Sequence, residues 1–196
     1  MTMKWNVPNV LTLLRIVLIP VFVLVFYAPY AWSNLVSAAV FGLAAVTDWL
    51  DGYLARRLKQ ASVFGAFLDP VADKLMVAIA LVVLVQENPT VLFTIPAAII
   101  VGREIVISAL REWMSEIGAR TRVAVSVIGK IKTAAQMVAI LLLLYEHPLG
   151  AFPTHYVGLA LIYIAATLTL WSMVAYLRAA WPTLMGDPAA KHGEEA

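Results

Sequence analysis

The sequence predicts an all-α integral membrane protein with six transmembrane helices and both termini in the cytoplasm. Three observations carry this prediction. Of the 196 residues, 62% are hydrophobic and only 13% charged, against roughly 25% charged in a soluble domain. Six apolar stretches are each long enough to cross a bilayer, which takes about 20 residues. The Lys and Arg residues of the loops also fall on one side of the resulting serpentine. A soluble fold of this size would be left with large exposed apolar patches, so lipid must be part of its solvent.

The expected spans are residues 9–28, 33–57, 67–86, 91–113, 125–146 and 155–178. Pro29 ends the first, Asn88-Pro89 the third and Pro148-Leu149-Gly150 the fifth, each a turn signal. Pro20 and Pro96 lie inside spans, where neighbouring helices can satisfy the backbone groups they release. The first stretch is read as a retained span. Arg15 interrupts its apolar run, and Ala28-Pro29-Tyr30-Ala31 makes a poor signal-peptide cleavage site. Residues 1–182 are expected to form one six-helix domain, and 183–196, rich in Pro, Gly and charge, a disordered cytoplasmic tail.

Lys4, Arg56, Arg57, Lys59, Arg111, Arg120, Arg122, Lys130, Lys132, Arg178 and Lys191 all fall on the side of the termini. The opposite loops carry only Glu87 and Glu146, so the positive-inside rule places both termini in the cytoplasm. A net charge of +2 is too small for a nucleic-acid partner. The absence of Cys excludes disulfides, thiol catalysis and thiolate metal sites.

The acids are the informative residues. Asp48 and Asp51 sit in the second span, and Asp69 and Asp73 at the start of the third. At 1.5 Å per residue, Asp48 lies about 13 Å deeper than Arg57 at the cytoplasmic end. An unpaired carboxylate at that depth is costly. Spacings of i,i+3 and i,i+4 put each pair on one helix face, and a short connection makes the two helices neighbours on which the pairs can converge. Four gathered carboxylates need cations. Lys74 could neutralise one, and hard oxygen donors suit Mg²⁺ or Mn²⁺ rather than zinc. Two other readings stand beside this. The acids could pair with Arg15, Arg103 and Lys74 to tie the bundle together, or they could line an ion or proton pathway.

Residues 48–73 read Asp48-x2-Asp51-Gly52-x2-Ala55-Arg56-x8-Gly65-x3-Asp69-x3-Asp73. This resembles the signature of the CDP-alcohol phosphatidyltransferase family at every fixed position and spacing over 26 residues. Small Gly52, Ala55 and Gly65 allow close backbone approach, and Arg56 offers a planar fork to phosphate oxygens. A carboxylate-lined transporter explains the buried acids but not Arg56, Gly65 and the fixed spacer. A non-catalytic scaffold explains neither. Asn9-Val10-Leu11-Thr12-Leu13-Leu14-Arg15, Gly65 to Lys74, Arg103-Glu104 and Ala109-Leu110-Arg111-Glu112-Trp113 extend the likeness. They resemble the bacterial branch of the family that makes phosphatidylglycerol phosphate.

The resemblance implies transfer of a phosphatidyl group from CDP-diacylglycerol to sn-glycerol 3-phosphate, with release of CMP. It implies two metal ions held by Asp48, Asp51, Asp69 and Asp73, with Asp73 also the general base. It places Asn9, Thr12, Gly52, Arg56, Ser62 and Gly65 against the CDP-lipid, although Ser62 could equally be a plain loop hydroxyl. It also implies a homodimer in the bacterial cytoplasmic membrane, with the active site facing the cytoplasm. Inositol phosphate or phosphatidylglycerol remain alternative acceptors.

The residues themselves favour a phosphorylated acceptor. Arg103, Arg111, Lys130 and Lys132 lie in or near the cytoplasmic halves of spans four and five, with Arg15 a further candidate. Arg103 and Arg111, eight apart, are separated by only about 80° around a helix. Glu104 is not expected to pair with Arg103, because adjacent helical residues do not face each other. For Arg120, Arg122, Arg178 and Lys191 the positive-inside rule is explanation enough.

Overall fold

The computed structural model describes residues 7–58, 63–117 and 127–185. Among these the chain forms six helices: α1 (Val7–Phe26), α2 (Ser33–Leu58), α3 (Val63–Glu87), α4 (Val91–Glu116), α5 (Val127–Tyr145) and α6 (Thr154–Leu184). All six expected spans are helical, and most boundaries fall within a few residues of expectation. α3 begins four residues early, so Gly65 lies within the helix rather than before it. α6 runs two residues past the expected end of the domain at 182. Residues 186–196 of the expected tail lie outside the described residues.

Among the described residues, three helices are long and apolar enough to cross a membrane: α1 over Asn9–Phe26, α4 over Val91–Glu116 and α6 over Thr154–Arg178. The chain is a polytopic all-α protein.

Its centre is apolar, and so is much of its surface, unlike that of a soluble protein. Leu24, Val82, Leu92, Ile105 and Trp171 are all more than 60% exposed, as the bilayer permits. Phe22, Phe41, Leu81, Phe93, Ile100, Ile140 and Ile162 fill the centre. Arg15, Asp51, Lys132 and Gln136 are buried among the helices.

α1 packs on both α2 and α3 more extensively than those two pack on each other. α5 lies against α6 and α2, and α4 against α6 and α3. Gly158 explains the tight α5–α6 seam. A Cβ there would stand 2.8 Å from Leu143 Cγ and 3.3 Å from the Ala139 carbonyl, so only glycine lets the helices approach this closely. The α5–α6 connection turns on positive φ values at Glu146 (63°) and Gly150 (62°). Thr154 Oγ1 donates to the Glu146 and His147 carbonyls at 3.1 and 2.8 Å, satisfying groups that the end of α5 leaves open.

Candidate active site

α1 is apolar except for one stripe. Asn9, Thr12 and Arg15, spaced by three, are each no more than 2% exposed. Three buried polar side chains on one face of an apolar helix need partners across the helix contact, and for Arg15 and Thr12 the signature acids supply them. Arg15 Nη1 lies 2.8 Å from Asp48 Oδ1, and Arg15 Nη2 donates to Asp51 Oδ2 at 2.6 Å. Thr12 Oγ1 donates to Asp69 Oδ1. One helix therefore reaches the acids of both α2 and α3.

α2 and α3 touch as expected of neighbours joined by a short connection, and α1 packs on both more extensively, adding Arg15 and Thr12 as partners for their acids. The two members of the α2 pair differ sharply: the Asp51 side chain is 4% exposed and that of Asp48 43%. Asp73 is half-buried, and the charged groups close enough to act on it are Asp48, Arg15, Glu104 and Lys74. Lys74, which could neutralise one of the acids, acts on Asp73 while its ammonium donates to Ser108 Oγ of α4. Arg15, an expected acceptor-phosphate candidate, lies with the acids.

The cations of α4 and α5 form a second cluster. Glu104 Oε1 accepts from Arg103 Nη1 at 2.7 Å and from Lys132 Nζ at 3.1 Å. The Arg103–Glu104 pair runs against the expectation for adjacent helical residues. That rule concerns Cβ directions, and the long arginine chain can fold back past it. Gln136, one turn deeper than Lys132, is also buried. Arg111 lies apart from this pair and is held by α6. Its Nη2 donates to Tyr176 Oη at 2.8 Å, and its guanidinium stands 5.1 Å from the Tyr176 ring centroid. A groove of about 400 Å³ between α3 and α4, lined by Lys74, Glu104, Ser108 and apolar residues, adjoins both clusters.

A family profile described as CDP-alcohol phosphatidyltransferase matches residues 5–171. The chain belongs to the CDP-alcohol phosphatidyltransferase family. It is 59% identical to a CDP-diacylglycerol–glycerol-3-phosphate 3-phosphatidyltransferase of Pseudomonas fluorescens over 184 residues, covering 93% of each chain. To proteins of the same name from Salmonella paratyphi A and Shigella flexneri it is 56% identical, covering 91% and 93% of this chain and 96% and 99% of theirs. Membership in this family leaves the transporter and scaffold readings without support.

Among the phosphatidyltransferase signature residues, the fold thus brings Asp48 and Asp51 together on Arg15, and ties Asp69 to Thr12. Gly65 is buried on α3 near the same end. Gly52 and Arg56 lie on α2 and Lys130 on α5, but their side chains fall outside the described residues, as does the whole of Ser62. Among the described residues no three acidic or His side chains stand close enough to cage a metal in this arrangement. Two participants escaped the reading of the sequence, and a third was read without a role. Glu104 was visible as an acid in an apolar helix, whereas Ser108 and Tyr176 carry no signal until the helices are packed.

Proposed function

We propose that the chain transfers the phosphatidyl group of CDP-diacylglycerol to sn-glycerol 3-phosphate, giving phosphatidylglycerol phosphate and CMP. The observation that carries this reading is the extended likeness, at 59% and 56% identity, to relatives named for that reaction. The geometry supports it with two sites of opposite sign. An acidic cluster suits a metal-bridged pyrophosphate, and a cationic cluster suits the acceptor's phosphate. Glu104 and Asp73, one from each, lie within reach of each other's field.

Asp48, Asp51, Asp69 and Asp73 are the residues that would hold two divalent cations, Mg²⁺ or Mn²⁺. The donor set fits: all four are hard oxygen ligands, and they outnumber the buried Arg15 charge that accompanies them. Bound there, the ions supply charge neutralisation for the pyrophosphate and the departing CMP. Asp73 accepts the proton of the acceptor hydroxyl as its oxygen attacks the lipid-bearing phosphorus and the bond to CMP breaks. Asn9, Thr12, Gly52, Arg56, Ser62 and Gly65 contact the CDP-lipid. Arg103, Arg111, Lys130 and Lys132 bind the acceptor phosphate, while Arg15 serves the acids instead.

In this reading all six helices span the bacterial cytoplasmic membrane, both termini and the active site face the cytoplasm, and the protein is a homodimer. Lipid substrate enters from the side and water-soluble acceptor from the cytosol. The test is CMP release from CDP-diacylglycerol by the purified protein. Release should require both sn-glycerol 3-phosphate and Mg²⁺ or Mn²⁺, and Asp48→Asn or Asp69→Asn should abolish it. Undiminished turnover in EDTA, or in either variant at saturating Mg²⁺, contradicts the metal assignment.

A further inference from the structure

Glu104 belongs to no part of the family signature, yet one of its oxygens holds two of the cations assigned to the acceptor phosphate. Arg103 comes from the same helix and Lys132 from α5, and both are nearly buried, at 10% and 5% side-chain exposure. Two cations so close repel each other and lose hydration, so without an anion between them they would turn away or give up charge. One carboxylate against two cations leaves the group at +1, with Arg111 also close enough to act on Lys132. That surplus is what a phosphate monoester, carrying −1.5 to −2, would complete. Arg103 Nε is also buried and has no hydrogen-bond partner among the described residues, which leaves a donor for a ligand to satisfy.

We infer that Glu104 is a positioning residue for acceptor recognition, fixing Arg103 and Lys132 as a preformed cationic pair that receives the phosphate of the acceptor. The inference rests on the proposed use of sn-glycerol 3-phosphate and adds a residue to it. Glu104 acts through its neighbours, and the phosphate it helps to bind does not react, so its loss falls on KM rather than kcat.

The experiment is steady-state kinetics on the purified full chain with both substrates varied. Glu104→Gln is expected to raise KM for sn-glycerol 3-phosphate at least tenfold, with kcat within about threefold and KM for CDP-diacylglycerol unchanged. Glu104→Asp keeps the charge on a shorter arm and should recover part of the loss. Because both residues act on one contact, Glu104→Gln combined with Lys132→Met should be no worse than the poorer single variant. An unchanged KM in a variant that still turns over, a lowered KM, or losses that multiply in the double variant overturns the role of Glu104. Wild-type protein that ignores sn-glycerol 3-phosphate overturns the functional reading, and this inference with it.

Discussion

Arg15 holds two carboxylates from a helix it does not belong to, and one of them, Asp51, is buried. Removing a single partner from a buried ion pair leaves the other charge uncompensated, at a cost of about 3 kcal/mol or more. Arg15→Ala should therefore lower the thermal midpoint of the detergent-solubilised protein in EDTA, and Mg²⁺ should offset part of the loss by supplying positive charge to the same acids. A midpoint equal to that of the wild type would mean that Arg15 and the acids are not coupled. Asp73 calls for a different comparison. Asp73→Asn keeps the size and one oxygen donor but cannot accept a proton, so it should bind CDP-diacylglycerol better than Asp48→Asn while losing about 10²–10⁴-fold in kcat. Binding and turnover measured side by side on both variants check this. A substantial residual rate in Asp73→Asn would send the proton elsewhere. The acids themselves were legible in the sequence because a fixed pattern of charges cannot persist in apolar helices by chance packing. The partners of those acids were not. Thr12 and Arg15 stood out as polar residues in an apolar run, but their targets lie on other helices, and spacing along one chain does not specify which.

At the scale of helices, the sequence made α2 and α3 neighbours because a short connection joins them, and chain adjacency ordinarily implies packing. The packing of α1 on both of them is a property of the bundle, and it changes how the site is held, since a shift of α1 would disturb acids of both helices together. The α5–α6 seam has a similar importance for the cationic side, because α5 carries Lys132 and α6 carries Tyr176. Gly158→Ala should loosen that seam. Its Cβ meets Leu143 Cγ at 2.8 Å and backbone at 3.3 Å, and overpacking of this kind costs about 1–3 kcal/mol. Gly102→Ala is the control, since nothing lies within 4 Å of the Cβ it would add. Thermal midpoints of the two variants should separate clearly, with Gly102→Ala at or above the wild type. Equal midpoints would show that the seam has room to spare. The helices themselves were readable from apolar run length and turn residues. α3 starts four residues earlier than expected because the helix runs through Gly65, and the added residues Val63, Phe64, Gly65 and Ala66 carry no polar group that would end it.

The whole molecule divides into a cation-rich end, where the site lies, and an opposite end whose loops contain no Lys or Arg. That asymmetry predicts the orientation in the membrane, and the absence of cysteine makes it open to direct test. Tyr30→Cys and Phe152→Cys should react with an impermeant maleimide in intact spheroplasts, whereas Glu116→Cys should react only after permeabilisation. The reverse pattern would turn the active site away from the cytosol and its water-soluble acceptor. Reaction class, fold and the acidic site all follow from one signature and its setting in apolar helices. The proposed acceptor site was less legible, because it depends on where cations from α4 and α5 meet around Glu104. The acceptor is accordingly where the account is most exposed. The most direct measurement is kcat/KM of the purified protein for sn-glycerol 3-phosphate, glycerol, serine, inositol, inositol phosphate and phosphatidylglycerol, with CDP-diacylglycerol as donor and CMP as the readout. The account predicts that sn-glycerol 3-phosphate exceeds every other acceptor by at least a hundredfold, with phosphatidylglycerol phosphate formed in equal amount to CMP. Comparable turnover with glycerol, or a preference for any other acceptor in the panel, would contradict it.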